Sequence, residues 1–114
     1  MPEINIPEQR KSKRFKIPDA IVITPDNVCQ LVNISTGGLS FKCFLEVDLP
    51  AKCTVDIMVA GSDFHIEQLP VELIWKTLDD HSSYLSIPEE KVGVKFGHLD
   101  QSQGAKLEYL LSQY

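Results

Sequence analysis

From Ile17 onward, apolar and polar residues alternate with a period of two, and glycine, proline, asparagine and aspartate interrupt them at short intervals. That is the pattern of short strands joined by turns. Residues 20–24 are apolar and β-branched, and Pro25-Asp26-Asn27 closes them. Residues 28–34 predict a second strand. Ser35-Thr36-Gly37-Gly38 predicts a tight turn whose two glycines are free to adopt positive φ. Residues 39–45 then set Leu39, Phe41 and Cys43 on one face, with Ser40 and Lys42 on the other. After the loop Asp48-Leu49-Pro50, residues 53–59 put Cys53, Val55, Ile57 and Val59 together, and Gly61-Ser62-Asp63 reads as a hairpin turn.

Residues 64–78 are long for one strand and change phase partway. Phe64 and Ile66 share a face; Leu69, Val71, Leu73 and Trp75 share one of opposite parity. The slip falls at Gln68-Leu69-Pro70, where a bulge accommodates both the phase change and the donor that proline lacks. Trp75, on the apolar face, is expected in the core. Residues 79–83 form a polar loop and Pro88-Glu89-Glu90 an interruption, before a last strand carrying Val92, Val94 and Phe96. The period then becomes helical. Asp100 is an N-cap with Gln103 completing a capping box, and Leu107, Leu110 and Leu111 recur at helical spacing to pack on the sheet. Gly104 weakens that helix by roughly 1 kcal/mol relative to alanine. The expectation is a mostly β protein: a small antiparallel β-barrel of about six strands with a C-terminal α-helix. Residues 1–9 read as a flexible N-terminal arm and residues 10–114 as a single domain.

Charge adds one feature the pattern does not contain. Arg10-Lys11-Ser12-Lys13-Arg14-Phe15-Lys16 holds five of the eleven basic residues in seven positions. Residues 17–114 carry six Lys or Arg against fourteen Asp or Glu, a balance of −8, while the whole chain is −5. A concentrated positive segment on an acidic body is a focused anion attractor, whereas nucleic-acid binders are usually basic throughout. No DNA or RNA partner is therefore expected. No apolar run approaches the roughly 18 residues of a membrane span, and no secretory signal is visible, so membrane insertion is not expected and a cytoplasmic location is. The three cysteines, Cys29, Cys43 and Cys53, are odd in number, lack zinc-knuckle spacing and sit in apolar segments, which predicts buried reduced thiols. His65, His81 and His98 are scattered, so no metal or cofactor is expected. No nucleophile elbow or catalytic Cys–His context appears, and no enzyme or catalytic residue is expected.

Arg10-x-x-x-Arg14 is followed, nineteen residues after Arg14, by Asn33-x-Ser35-x-x-Gly38. With the later segments Val71-Glu72-Leu73-Ile74-Trp75 and Val92-Gly93-Val94-Lys95-Phe96, these motifs resemble the PilZ domain family of bacterial cyclic di-GMP receptors. The resemblance runs over nearly the whole chain from Gln9. It implies cyclic di-GMP as ligand, bound by Arg10, Arg14, Asn33, Ser35 and Gly38, with Lys11, Lys13 and Gly37 in support. The residue types suit such a ligand. Arginine grips phosphate or the O6/N7 edge of guanine with a two-pronged fork and stacks on purines. Asn33 would face a base, accepting from the guanine N2 amino group through its oxygen or donating through its amide. Gly38 would keep Cβ bulk away from the ligand.

The function implied is a receptor or effector module in which residues 1–16, mobile when free, order on ligand binding and signal to an unidentified downstream protein partner. The alternative is a nucleotide-independent PilZ-like protein–protein adaptor.

Overall fold

The computed structural model describes residues 13–44, 48–79 and 89–113. Six strands follow one another, β1 (Ala20–Ile23), β2 (Val28–Ile34), β3 (Gly38–Phe44), β4 (Lys52–Val59), β5 (His65–Asp79) and β6 (Glu89–Phe96), before one helix, α1 (Gln101–Ser112). They close into a barrel in the order β1-β2-β3-β6-β5-β4, every pairing antiparallel. The expected fold class is the one observed. The expected arm, residues 1–9, lies outside the described residues.

Alternation fills the barrel. Val22, Leu31, Ile34, Leu39, Phe41, Val55, Ile57, Ile66, Leu69, Val92 and Val94 point inward and are buried. Removing such surfaces from water is the main favourable contribution to folding, about 25 cal/mol per Å² of apolar area. The last strand starts earlier than its sequence suggests. Glu89 and Glu90 lie within β6, where Glu90 takes the inward parity of Val92 and Val94. A buried carboxylate needs a partner, and the Lys76 ammonium stands 3.7 Å from it.

The cysteine expectation is corrected for two of three residues. Cys29 and Cys43 are joined as a disulfide, their Cα atoms 4.8 Å apart. They meet because the β2–β3 register sets them opposite each other beside the Gln30–Lys42 pair. Cys53 is free and half-buried, and burial pushes its thiol up from the usual range.

The predicted slip in the long strand is present as a bulge. Glu67 and Gln68 of β5 oppose Asp56 of β4, and Gln68 takes φ 56°. A non-glycine residue there costs on the order of 1–3 kcal/mol, so the bulge needs outside support. The Gln68 N–H donates to Asp56 Oδ1 at 2.8 Å. Gln103 of α1 supplies more: its Nε2 donates to the Glu67 and Gln68 carbonyls at 3.0 and 2.8 Å. Its Oε1 accepts from the Asp100 N–H while Asp100 caps the Gln103 N–H, the predicted capping box. One side chain thus starts the helix and fastens it to the bulge. Leu107, Leu110 and Leu111 bury against the barrel beyond it.

Gln103→Ala is accordingly expected to lower stability by about 1–2 kcal/mol. Gln103→Glu, which keeps the cap acceptor but loses the donor to the bulge, should fall between alanine and wild type. Urea denaturation midpoints check both; an unshifted midpoint for alanine would remove Gln103 from the account of how α1 docks.

Candidate functional site

One rung of the barrel runs outward across four consecutive strands. Asn33 of β2 pairs with Ser40 of β3, Ser40 with Gly93 of β6, and Gly93 with Trp75 of β5. Two bulges put the ends of this rung outside. In β2 the register shifts between Leu31 and Asn33, so Leu31 and Ile34 both point inward and Asn33 is turned out. In β5 it shifts between Leu73 and Trp75, which leaves Ile74 and Trp75 55% and 44% exposed. Bulges next to functional sites re-aim side chains in this way. Trp75 is therefore not core, contrary to the expectation from strict alternation. Its indole lies over Gly93, where a Cβ would come within 2.2 Å of the ring. The rung lines a cavity of about 150 Å³ together with Arg14, Gly37, Gly38, Lys95 and their neighbours.

Arg14 reaches the rung because the residue after it is tied down. Phe15 and Ile34, the last residue of β2, exchange backbone hydrogen bonds of 2.8 and 2.9 Å as an isolated bridge. This fixes Arg14 beside Asn33, and its Nη1 donates to Asn33 Oδ1 at 2.9 Å. The Ser40 hydroxyl donates to the same oxygen at 3.0 Å. Of residues 1–16, expected to be mobile when free, residues 13–16 are described, and Phe15 among them is paired with Ile34. Lys13 is exposed, its ammonium 5.4 Å from the centre of the Phe15 ring, and does not line the cavity. Arg10 and Lys11 lie outside the described residues.

The Asn33–Gly38 segment supplies the other wall. Ser35 is buried and holds the turn: its N–H donates to the Gly38 carbonyl at 2.8 Å, and its hydroxyl accepts from the Gly37 N–H at 3.2 Å. It serves the turn rather than the cavity surface. Neither Gly37 nor Gly38 takes positive φ; among the described glycines only Gly61 does. Gly38 is required for a different reason. It pairs with Lys95 of β6, and a Cβ on it would stand 2.2 Å from the Val94 carbonyl oxygen and 2.9 Å from Lys95 Cα. The missing bulk admits the neighbouring strand, not a ligand. Gly37 has no such neighbour and faces the cavity.

Of the residues named from sequence, the structure brings Arg14, Asn33, Gly37 and Gly38 together at one cavity and sets Ser35 behind it. Sequence reasoning missed Ser40, Gly93 and the outward role of Trp75. The missed signal was the rung itself, which depends on two bulges that nothing in the alternation marks. Lys95 at the cavity edge is held 3.5 Å from Glu72 across the β5–β6 pair. Among the described residues no group of His, Cys, Asp or Glu is placed to hold a metal ion, and no helix is long and apolar enough to cross a membrane.

A six-stranded closed barrel with an arginine-and-turn site on its outer surface defines the class of protein. The PilZ domain profile matches residues 8–113, and the chain belongs to the PilZ domain family. No curated protein matches the sequence. Among solved structures, the chain is similar to an uncharacterized Legionella protein at 19% identity and a TM-score of 0.60, covering 89% of this chain and 91% of that one. It is also similar to the PilZ domain of Escherichia coli YcgR with c-di-GMP, at 12% identity and TM-score 0.67, covering 93% and 91%. A third likeness is to MrkH of K. pneumonia in its c-di-GMP complex, at 16% identity and TM-score 0.68, covering 93% of this chain but 52% of MrkH. At such identities the likeness establishes the fold.

Proposed function

We propose that this domain is a cyclic di-GMP receptor module that acts in the cytoplasm and passes the signal to a protein partner. The observation that carries the reading is the placement of Arg14 at the end of the Asn33–Ser40–Gly93–Trp75 rung. A guanidinium fork, a polar side chain and an exposed indole then border one cavity. They match the three things a guanine nucleotide offers: phosphate or the O6/N7 edge, hydrogen-bonding base atoms and a π face. Family membership and the c-di-GMP named for YcgR and MrkH support the same ligand.

The cavity, about 150 Å³, is smaller than the roughly 300–1,000 Å³ clefts that bury a drug-sized ligand. It suits one base against Trp75, leaving the remainder of the dinucleotide over the turn. There the basic segment would close on it, with Arg10 gripping alongside Arg14 and with Lys11 and Lys13 supplying field. Ser35 and Gly38 act by building the turn. Closure creates the new surface a partner reads, an ordering switch. It also predicts that cleavage before Arg14 by a trypsin-like protease slows when ligand is added; unchanged cleavage would count against closure.

Calorimetric titration with cyclic di-GMP, with linear GMP alongside, tests the ligand. Micromolar or tighter binding of the cyclic compound alone is expected. A folded protein giving no heat at several temperatures would overturn the receptor reading and favour the nucleotide-independent adaptor.

A further inference from the structure

The arrangement around Asn33 bears on which edge of a base this site reads, an inference that rests on the receptor reading above. A side-chain amide presents an acceptor on one side and two donors on the other. In Asn33 the acceptor is already engaged. Oδ1 takes hydrogen bonds from Arg14 Nη1 at 2.9 Å and from the Ser40 hydroxyl at 3.0 Å, one for each lone pair. Arginine has donors and no acceptor, so turning the amide over would set N–H groups against N–H groups. The oxygen therefore faces Arg14 and Ser40, and Nδ2 is what remains to meet a ligand in the cavity.

We propose that Asn33 reads its ligand as a hydrogen-bond donor, through Nδ2 to an acceptor edge such as guanine O6/N7, and that Arg14, which can only donate, is what sets this choice. Ser40 adds the second bond to Asn33 Oδ1. It lies directly opposite Asn33 in the β2–β3 register, is buried at 6% exposure and is held between Asn33 and Gly93. An aspartate at position 33 would behave in the opposite sense. One carboxylate oxygen would take the Ser40 and Arg14 bonds, and the other would present an acceptor, suited to guanine N1–H and N2 amino groups. The asparagine is thus a change of the edge that is read, not merely a weaker version of the acid.

Cyclic di-GMP and cyclic di-IMP separate these cases, because the second lacks only the exocyclic N2 amino groups. Both are titrated into wild type and Asn33→Asp. The quantity read is the ratio of the two dissociation constants in each protein. Wild type is expected to bind both within about threefold, and Asn33→Asp to favour the guanine compound at least about fivefold more than wild type does, about 1 kcal/mol for one hydrogen bond. Equal ratios in wild type and Asn33→Asp would overturn donor reading. Absence of binding of either compound to folded wild type is a different result: it removes the receptor reading and this inference with it.

Discussion

Gly38→Ala is expected to destabilise the domain by about 3 kcal/mol or more, while Gly37→Ala, one residue away, changes stability by no more than about 0.5 kcal/mol. The alternation of apolar and polar residues does not tell the two glycines apart. In the structure the Cβ of an alanine at position 38 would meet the Val94 carbonyl oxygen and Lys95 Cα, both backbone atoms of β6. Backbone in a paired strand cannot step aside as a flexible side chain can, so β3 must part from β6 at this point. At position 37 the nearest atom is the Ser35 hydroxyl oxygen at 4.0 Å, ordinary contact distance. Loss of binding should follow the same order, because Gly38 also accepts the Ser35 N–H that closes the turn. Urea denaturation of both variants, with backbone amide spectra to locate the change, provides the test. Similar midpoints for the two would sink the explanation by strand approach.

The second large effect is on the ligand. Arg14→Ala is expected to weaken cyclic di-GMP binding by roughly 5- to 150-fold, the 1–3 kcal/mol of one two-pronged arginine contact. Arg14→Lys should recover only part of it, since an ammonium supplies charge without the planar fork. The fold should persist in both, because Arg14 is only half-buried and the Phe15–Ile34 bridge that positions it is made of backbone. Full recovery by lysine would mean that Arg14 contributes only a screened field; affinity would then fall steeply with added salt. An unaltered partner response in Arg14→Ala would point to the adaptor instead.

What alternation could and could not reveal follows from these residues. The core faces of Phe41, Ile57 and Val94 were legible, because each lies in a strand segment with one parity. The bulge at Gln68 was legible too, since a proline stands two residues away and the apolar phase reverses there. The bulges beside Val32 and Ile74 were not. Both residues are β-branched and sit within apolar runs, so nothing marks the slip, and a slip of one residue exchanges the faces of all that follows. Trp75 was misassigned for that reason alone. The cysteine bond was illegible on similar grounds, because a separation of fourteen residues says nothing until the β2–β3 register is known. The paired motifs revealed Arg14 and Asn33 as partners, but not that Arg14 Nη1 donates to Asn33 Oδ1.

The position of Trp75 has a practical corollary. It is the only tryptophan in the chain, and it stands at the mouth of the candidate cavity rather than in the barrel interior. Nearly all of the intrinsic emission excited at the red edge of the protein band thus originates at the place where a purine would stack. The domain carries its own unlabelled optical reporter: under the proposed function, quenching of that emission is the expected sign of occupancy at the site.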